Sequence, residues 1–217
     1  MNTSGIKISI YDFFSYFISG VMFIICIILS IYFTNNNLKI PFREILGDEL
    51  LLIIPNWYLI IFVVITTYVF GIIISTLSSI IIENLIMKIP FLKNINSMNN
   101  IISEKLFILV CKKAKKDFDI DFSEKYLRLI ITYIEKHSIN AYNTALVFLT
   151  IYGMNRNLCI IFFPIGIITL IINIIQQDNV LFAFVLIGLS VLTFIGYIRF
   201  MKYFISQILS AYLTNEY

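Results

Sequence analysis

Apolar side chains fill four stretches of the chain almost without interruption, over residues 13–34, 57–82, 158–175 and 180–198, and none of the four contains a charge. A helix needs about 20 such residues to cross the hydrocarbon of a bilayer, so each stretch predicts a membrane span. The second is the longest and has room to tilt or to project beyond the membrane. Only Gln176, Gln177, Asp178 and Asn179 separate the third from the fourth, which predicts a tight helical hairpin. Residues 35–56 open with three asparagines, carry Pro41 and mixed charges, and include an amphipathic stretch, 45–54, that suits a short helix lying on the membrane. Trp57 and Tyr58 fit an interfacial belt at the entry to the second span.

Between the second and third spans the apolar positions recur with a helical period instead. Pro90 and the asparagine-rich stretch 94–100 break the chain. A helix then follows over 101–116, with Ile102, Leu106, Leu109 and Val110 on one stripe. Asp121 and Glu124 bracket a capping-box start. The next helix aligns Leu127, Ile130, Ile131 and Ile134, and a third, over 140–152, aligns Ala141, Ala145, Leu149 and Tyr152. Gly153 either ends this helix or lets it run on into the third span. The expected fold class is an all-α membrane protein with four transmembrane helices and a small helical cytoplasmic module between spans 2 and 3. Residues 1–87 hold the first two spans and an external loop, 88–157 the module, and 158–217 the last two spans with a cytoplasmic tail.

Composition supports this class. Hydrophobic residues make up 59% of the 217 and charged residues 13%, against roughly 25% charged in an ordinary soluble domain. A soluble fold of this size has too little interior for that much apolar surface. Of the 16 Lys and Arg, only Lys39 and Arg43 fall between the first two spans. The positive-inside rule therefore places both termini and the middle segment in the cytoplasm. A cleavable signal peptide is not expected, because only Lys7 precedes the first apolar run and no small-residue cleavage site follows it.

Little in the chain points to catalysis. Cys26, Cys111 and Cys159 are scattered and odd in number, which fits buried free thiols rather than a disulfide framework. His137 is the only histidine, near the end of a predicted helix, where a cation suits the dipole. Asp117, Asp119 and Asp121 alternate as in a calcium loop, but the glycine and the distal glutamate of that motif are missing. No nucleophile elbow, phosphate loop or zinc-binding helix occurs. No enzyme activity, cofactor or metal is expected.

The polar residues within and beside the spans are more informative. Thr67, Gly71, Ser75, Ser79 and Glu83 recur every fourth residue, which lays them along one drifting face of the second span. Small residues of this kind let helix backbones approach closely. The face is either a packing seam within one subunit or a subunit interface or pore wall, with Glu83 at its inner mouth to attract cations. Asp12 stands where it would cap the first span. Arg156 enters the third span from the cytoplasm, either to reach headgroups or to pair with Asp12 or Glu83. Lys112, Lys113, Lys115 and Lys116 form the densest charge cluster. They suit a helix C-terminus, an anionic lipid surface, or an anionic ligand such as a nucleotide signal or nucleic acid.

The opening with Asp12, Phe13, Tyr16 and Gly20, and the entry to the third span with Met154, Arg156, Asn157 and Leu158, resemble small bacterial inner-membrane proteins of anti-phage defence operons. The layout of two spans, a helical insert and a tight hairpin of spans is similar to that of the membrane components of the Kiwa and Hailong systems. Ser19-Gly20 stands where such openings often carry Pro-Gly. The resemblance implies a homo-oligomer, with a tetramer as the working expectation, in the bacterial inner membrane. It would act as a sensor or effector that alters the membrane during infection. Two readings follow: a gated effector, one form of which is an ion pore, or a non-conducting anchor that recruits a soluble cytoplasmic partner.

Overall fold

The computed structural model describes residues 3–34, 56–84, 104–119 and 127–214. The predicted surface helix at 45–54, Pro90 with the stretch 94–100, and the capping box at 121–124 lie outside the described residues. Asp12 lies inside the helix Thr3–Thr34, which starts well before it, so it does not cap the first span as its position suggests; the side chains of Asp12 and Glu83 are outside the described set. Among the described residues there are six α-helices and no strand. They are α1 (Thr3–Thr34), α2 (Asn56–Ser78), α3 (Glu104–Phe118), α4 (Leu127–His137), α5 (Ile139–Gln176) and α6 (Leu181–Thr214). A π-helical turn, Ser79–Glu83, follows α2 directly. Four of the helices, α1, α2, α5 and α6, are long and apolar enough to cross a membrane. The chain is a multi-pass helical membrane protein.

The helices overrun the apolar stretches. α1 begins well before Phe13, α6 continues past Ile198, and α5 passes through Gly153 without a break. Pro164 lies inside α5 and is exposed. The turn between α5 and α6 is built from local chemistry. Gln177 takes a left-handed conformation (φ 56°), the Asp178 amide donates to the Asn173 carbonyl at 2.9 Å, and the Gln177 amide donates to the Ile174 carbonyl at 3.3 Å. These two bonds are the helix-ending pattern in which a left-handed residue lets the chain reverse. The Asn179 side chain then accepts from the Leu181 amide at 2.9 Å and caps α6. The buried Asn173 amide group donates to the Asn179 carbonyl at 2.7 Å and ties the turn to α5.

The chain divides into two compact units. One comprises Met1–Tyr11, Ser79–Gly153 and Ile195–Tyr217, the other Asp12–Ser78 and Met154–Phe194. The first has a core of Val110 and Ala114 from α3, Ile130 and Ile134 from α4, Ala145 and Leu146 from α5, and Ile208, Leu209 and Tyr212 from α6. Val110, Ile130, Ile134 and Ala145 occupy the core as their spacing predicts. Leu109 and Leu149 do not: Leu109 is 54% exposed, on the far side of α3 from Val110 and Ala114, and Leu149 is 39% exposed on α5. In the second unit Cys26, Ile74, Ile161, Phe162 and Leu186 form the apolar core. The first half of α2 in this unit is apolar and exposed all round, with Ile60, Phe62, Val63 and Ile65 outward, as suits a membrane span.

Candidate functional site

The second unit is organised around the seam between α1 and α2. A Cβ on Gly20 would fall on the Thr67 carbonyl, and a Cβ on Gly71 would fall on the Tyr16 carbonyl. The two backbones therefore touch at both glycines, which only a residue without a side chain allows. Thr67 is buried beside Gly20, with 2% of its surface exposed. Aromatic contacts flank the seam, with Tyr68 packed against Phe13 and Tyr16, and Phe23 against Phe70. Of the small-residue face expected on the second span, Thr67 and Gly71 thus pack on α1 of the same chain. Ser75 is half-buried beside the next feature, and Ser79 lies in the π-helical turn.

One end of this seam carries a connected set of polar side chains from three helices. Arg156 and Asn157 come from α5, Ser75 and Ser78 from α2, and Ser19 from α1, with the Ser15 backbone carbonyl as the last acceptor. The Arg156 guanidinium donates through Nε to the Ser78 hydroxyl at 3.1 Å, and through Nη2 to Ser75 Oγ at 3.3 Å. The Ser78 hydroxyl lies 2.6 Å from Asn157 Oδ1 and 2.9 Å from the Ser75 carbonyl, so its one proton is shared between two acceptors. The Asn157 amide nitrogen donates to Ser19 Oγ at 3.2 Å, and Ser19 Oγ donates to the Ser15 carbonyl at 2.8 Å. Asn157, Ser19 and Ser78 are fully buried. The donors all run one way, from Arg156 through Ser78, Asn157 and Ser19 to the α1 backbone, and bonds aligned like this polarise one another.

Of this network, sequence reasoning marks Arg156 and Ser75 but misses Ser78, Ser19, Ser15 and the role of Asn157. A spacing of four advances about 400° around a helix, a drift of about 40° at each step. By Ser79 the fourfold series has left the buried face, and the buried positions are instead Thr67, Gly71, Ile74, Ser78 and Ile82. A mixed spacing of four and three was the available signal. Ser15 and Ser19, four apart on α1, were another. Elsewhere in this unit the Ser190 hydroxyl donates to the Cys159 carbonyl at 3.3 Å and joins α6 to α5.

In the first unit the lysine cluster separates into two roles. Lys112, Lys115 and Lys116 are exposed. Lys113 turns inward, and its ammonium donates to the Tyr212 carbonyl at 2.7 Å and the Leu213 carbonyl at 3.4 Å, at the end of α6. These are carbonyls that a helix C-terminus leaves open, and a cation there also meets the negative end of the dipole. The Tyr212 hydroxyl donates to Asp117 at 2.8 Å, so α3 grips the end of α6 from both sides of one buried ring. Lys113→Met should lower stability by about 1 kcal/mol, whereas Lys112→Met should change it by less than about 0.5 kcal/mol. Thermal unfolding of the detergent-solubilised variants measures both. His137 is exposed, stacked on Tyr133, with Nδ1 2.8 Å from the Tyr133 carbonyl. Asp119 follows the end of α3 in a left-handed conformation, and Asp121 lies outside the described residues.

In comparisons with known proteins the chain matches no family model, no curated sequence and no solved structure.

Proposed function

We propose that the chain is a membrane effector of the bacterial inner membrane, working as a homo-oligomer in phage defence, and that its buried polar network is the element that opens to breach the membrane. The observation that carries this reading is the bonding of the fully buried Ser19, Ser78 and Asn157 to one another's helices and to the half-buried cation of Arg156. As an adhesive such a network is weak, because interhelical hydrogen bonds within membranes average about 0.6 kcal/mol. Ionisable and amide groups at such positions more often serve transport or switching. Hydroxyl, amide and guanidinium groups that bond each other in the closed state can bond water when the three helices part. A continuous path needs several copies around an axis, since one chain of four spans is filled by its own core. The charge in the network is cationic, so the open path favours anions, in place of the cation preference that Glu83 at the mouth would give. The distribution of Lys and Arg supports cytoplasmic termini.

The test is ion flux in proteoliposomes and membrane potential in cells expressing the protein, with and without phage challenge. Chloride should permeate faster than potassium, and Arg156→Gln should remove that preference. If protection against phage persists while neither flux nor potential changes, the protein is instead a non-conducting anchor. The first unit favours that second reading: it has a core of its own, built from α3, α4 and the helix ends they grip, and could present a surface to a soluble partner.

A further inference from the structure

Helix α3 buries one side and leaves a coherent face outside. Val110 and Ala114 lie in the core, with 0% and 3% exposure, and Asp117 is turned inward to the Tyr212 hydroxyl. Opposite them Lys105, Ile108, Leu109, Lys112 and Lys116 are all exposed, Ile108 by 46% and Leu109 by 54%. At 100° per residue these five positions fall within an arc of about 100°, with the two aliphatic side chains at its edges and the three lysines between them. The described side chains of this face include no carboxylate. Glu104 opens the helix with a side chain outside the described set, and Asp119 lies beyond the helix end.

We infer that the outward face of α3 docks on an anionic lipid leaflet, with Ile108 and Leu109 entering the headgroup region beside Lys105, Lys112 and Lys116. The inference is independent of whether the protein conducts. Cationic side chains alone would suit any polyanion, but a nucleic acid or a free nucleotide gives two branched aliphatic side chains nothing to bury against. A leaflet offers phosphate charge and an apolar layer within one side chain's length, which is the combination that interfacial amphipathic helices use. Lysine stems add to the apolar contact while their ammonium groups stay among the phosphates. A chain with four membrane-spanning helices always has a leaflet at hand. Lys113 takes no part, because it is committed to the end of α6. This is a different set from the run of four lysines that the sequence singles out: Lys105 joins it, and Lys113 and Lys115 leave it, Lys115 because it falls outside the arc.

Each lysine at an anionic surface changes the ratio of docked to undocked helix by about fivefold. The experiment uses the full-length protein in nanodiscs of phosphatidylcholine alone and of phosphatidylcholine mixed with phosphatidylglycerol. An apolar, environment-sensitive fluorophore is placed at Ile108→Cys with Cys111 replaced by serine. Emission should shift to the blue, and acrylamide quenching should fall severalfold, in the anionic discs only. Lys105→Gln/Lys112→Gln/Lys116→Gln should abolish both changes, and high salt should weaken them. Hydrogen exchange of unlabelled protein guards against an effect of the label: amides of Glu104–Phe118 should slow in anionic discs for the wild type and not for the triple variant. Equal emission, quenching and exchange in the two lipid compositions would overturn the inference. So would protection of the probe by a short oligonucleotide but not by anionic lipid, which would assign the face to a soluble polyanion.

Discussion

Gly71→Ala should unseat α1 from α2, and Gly71→Leu should do so completely. The Cβ that either variant adds falls on the Tyr16 carbonyl, which is helix backbone and cannot swing aside as a side chain would. The helices must separate, and separation loses contacts along the whole seam, including Gly20 on Thr67 and Phe23 on Phe70. Within a membrane no hydrophobic force replaces that packing. Overpacking typically costs 1–3 kcal/mol, and an immovable neighbour puts Gly71→Ala at about 3 kcal/mol, a loss that outweighs the gain of about 1 kcal/mol in helix propensity. Gly188→Ala is the control: a Cβ there meets nothing within 4 Å, so the same propensity gain should appear unopposed. Thermal unfolding in detergent, read with the oligomer's mass, decides the matter. A lower melting temperature at unchanged subunit number places the seam within one chain. A smaller oligomer with unchanged subunit stability would place it between chains. An unperturbed Gly71→Ala would refute the close contact itself.

The same glycines show what a sequence makes visible and what it hides. Membrane spans are legible because crossing hydrocarbon demands long uninterrupted apolar runs, and residues 13–34, 57–82, 158–175 and 180–198 carry no competing signal. Helix ends are less legible. A helix continues wherever its backbone stays paired and its side chains find contacts. α5 therefore passes through Gly153, Asn155 and Arg156, although glycine and polar residues there suggest a boundary. The turn after Gln176 was legible, since only four polar residues separate two long apolar runs. The polar network was not. Arg156 and Asn157 at the edge of an apolar run read equally well as residues reaching for headgroups. What distinguishes them is the arrival of Ser19 and Ser78 from two other helices, a fact of tertiary packing. Leu109 teaches the reverse lesson. Its spacing from Leu106 and Val110 assigned it to the core, but α3 needs only a narrow buried stripe, and the residue falls on the face with the lysines.

Asn157→Leu should impair activity far more than it impairs stability. The replacement keeps the branching at Cγ and removes both the acceptor for Ser78 and the donor to Ser19. Neither serine is then stranded, because Ser78 still has the Ser75 carbonyl at 2.9 Å and Ser19 still has the Ser15 carbonyl at 2.8 Å. Hydroxyls that bond back to their own helix in this way leave no orphaned donor, so the usual penalty for breaking a buried hydrogen bond largely disappears. The apolar side chain also gains from burial in a site that is fully closed to solvent. The net change in stability should therefore stay within about 1.5 kcal/mol, near the upper end of measured interhelical bonds in membranes. If the network only held helices together, activity would follow stability and fall little. As a gate it behaves differently. The open state must hydrate the surfaces that part, and a leucine among α1, α2 and α5 penalises water there by the transfer free energy of its side chain, about 2 kcal/mol in each subunit. Across several subunits opening together this suppresses the open state by orders of magnitude. Asn157→Leu should accordingly fold, assemble and melt nearly as the wild type does, yet give no flux in proteoliposomes and no protection in challenged cells. Full flux from this variant would show that the path runs elsewhere.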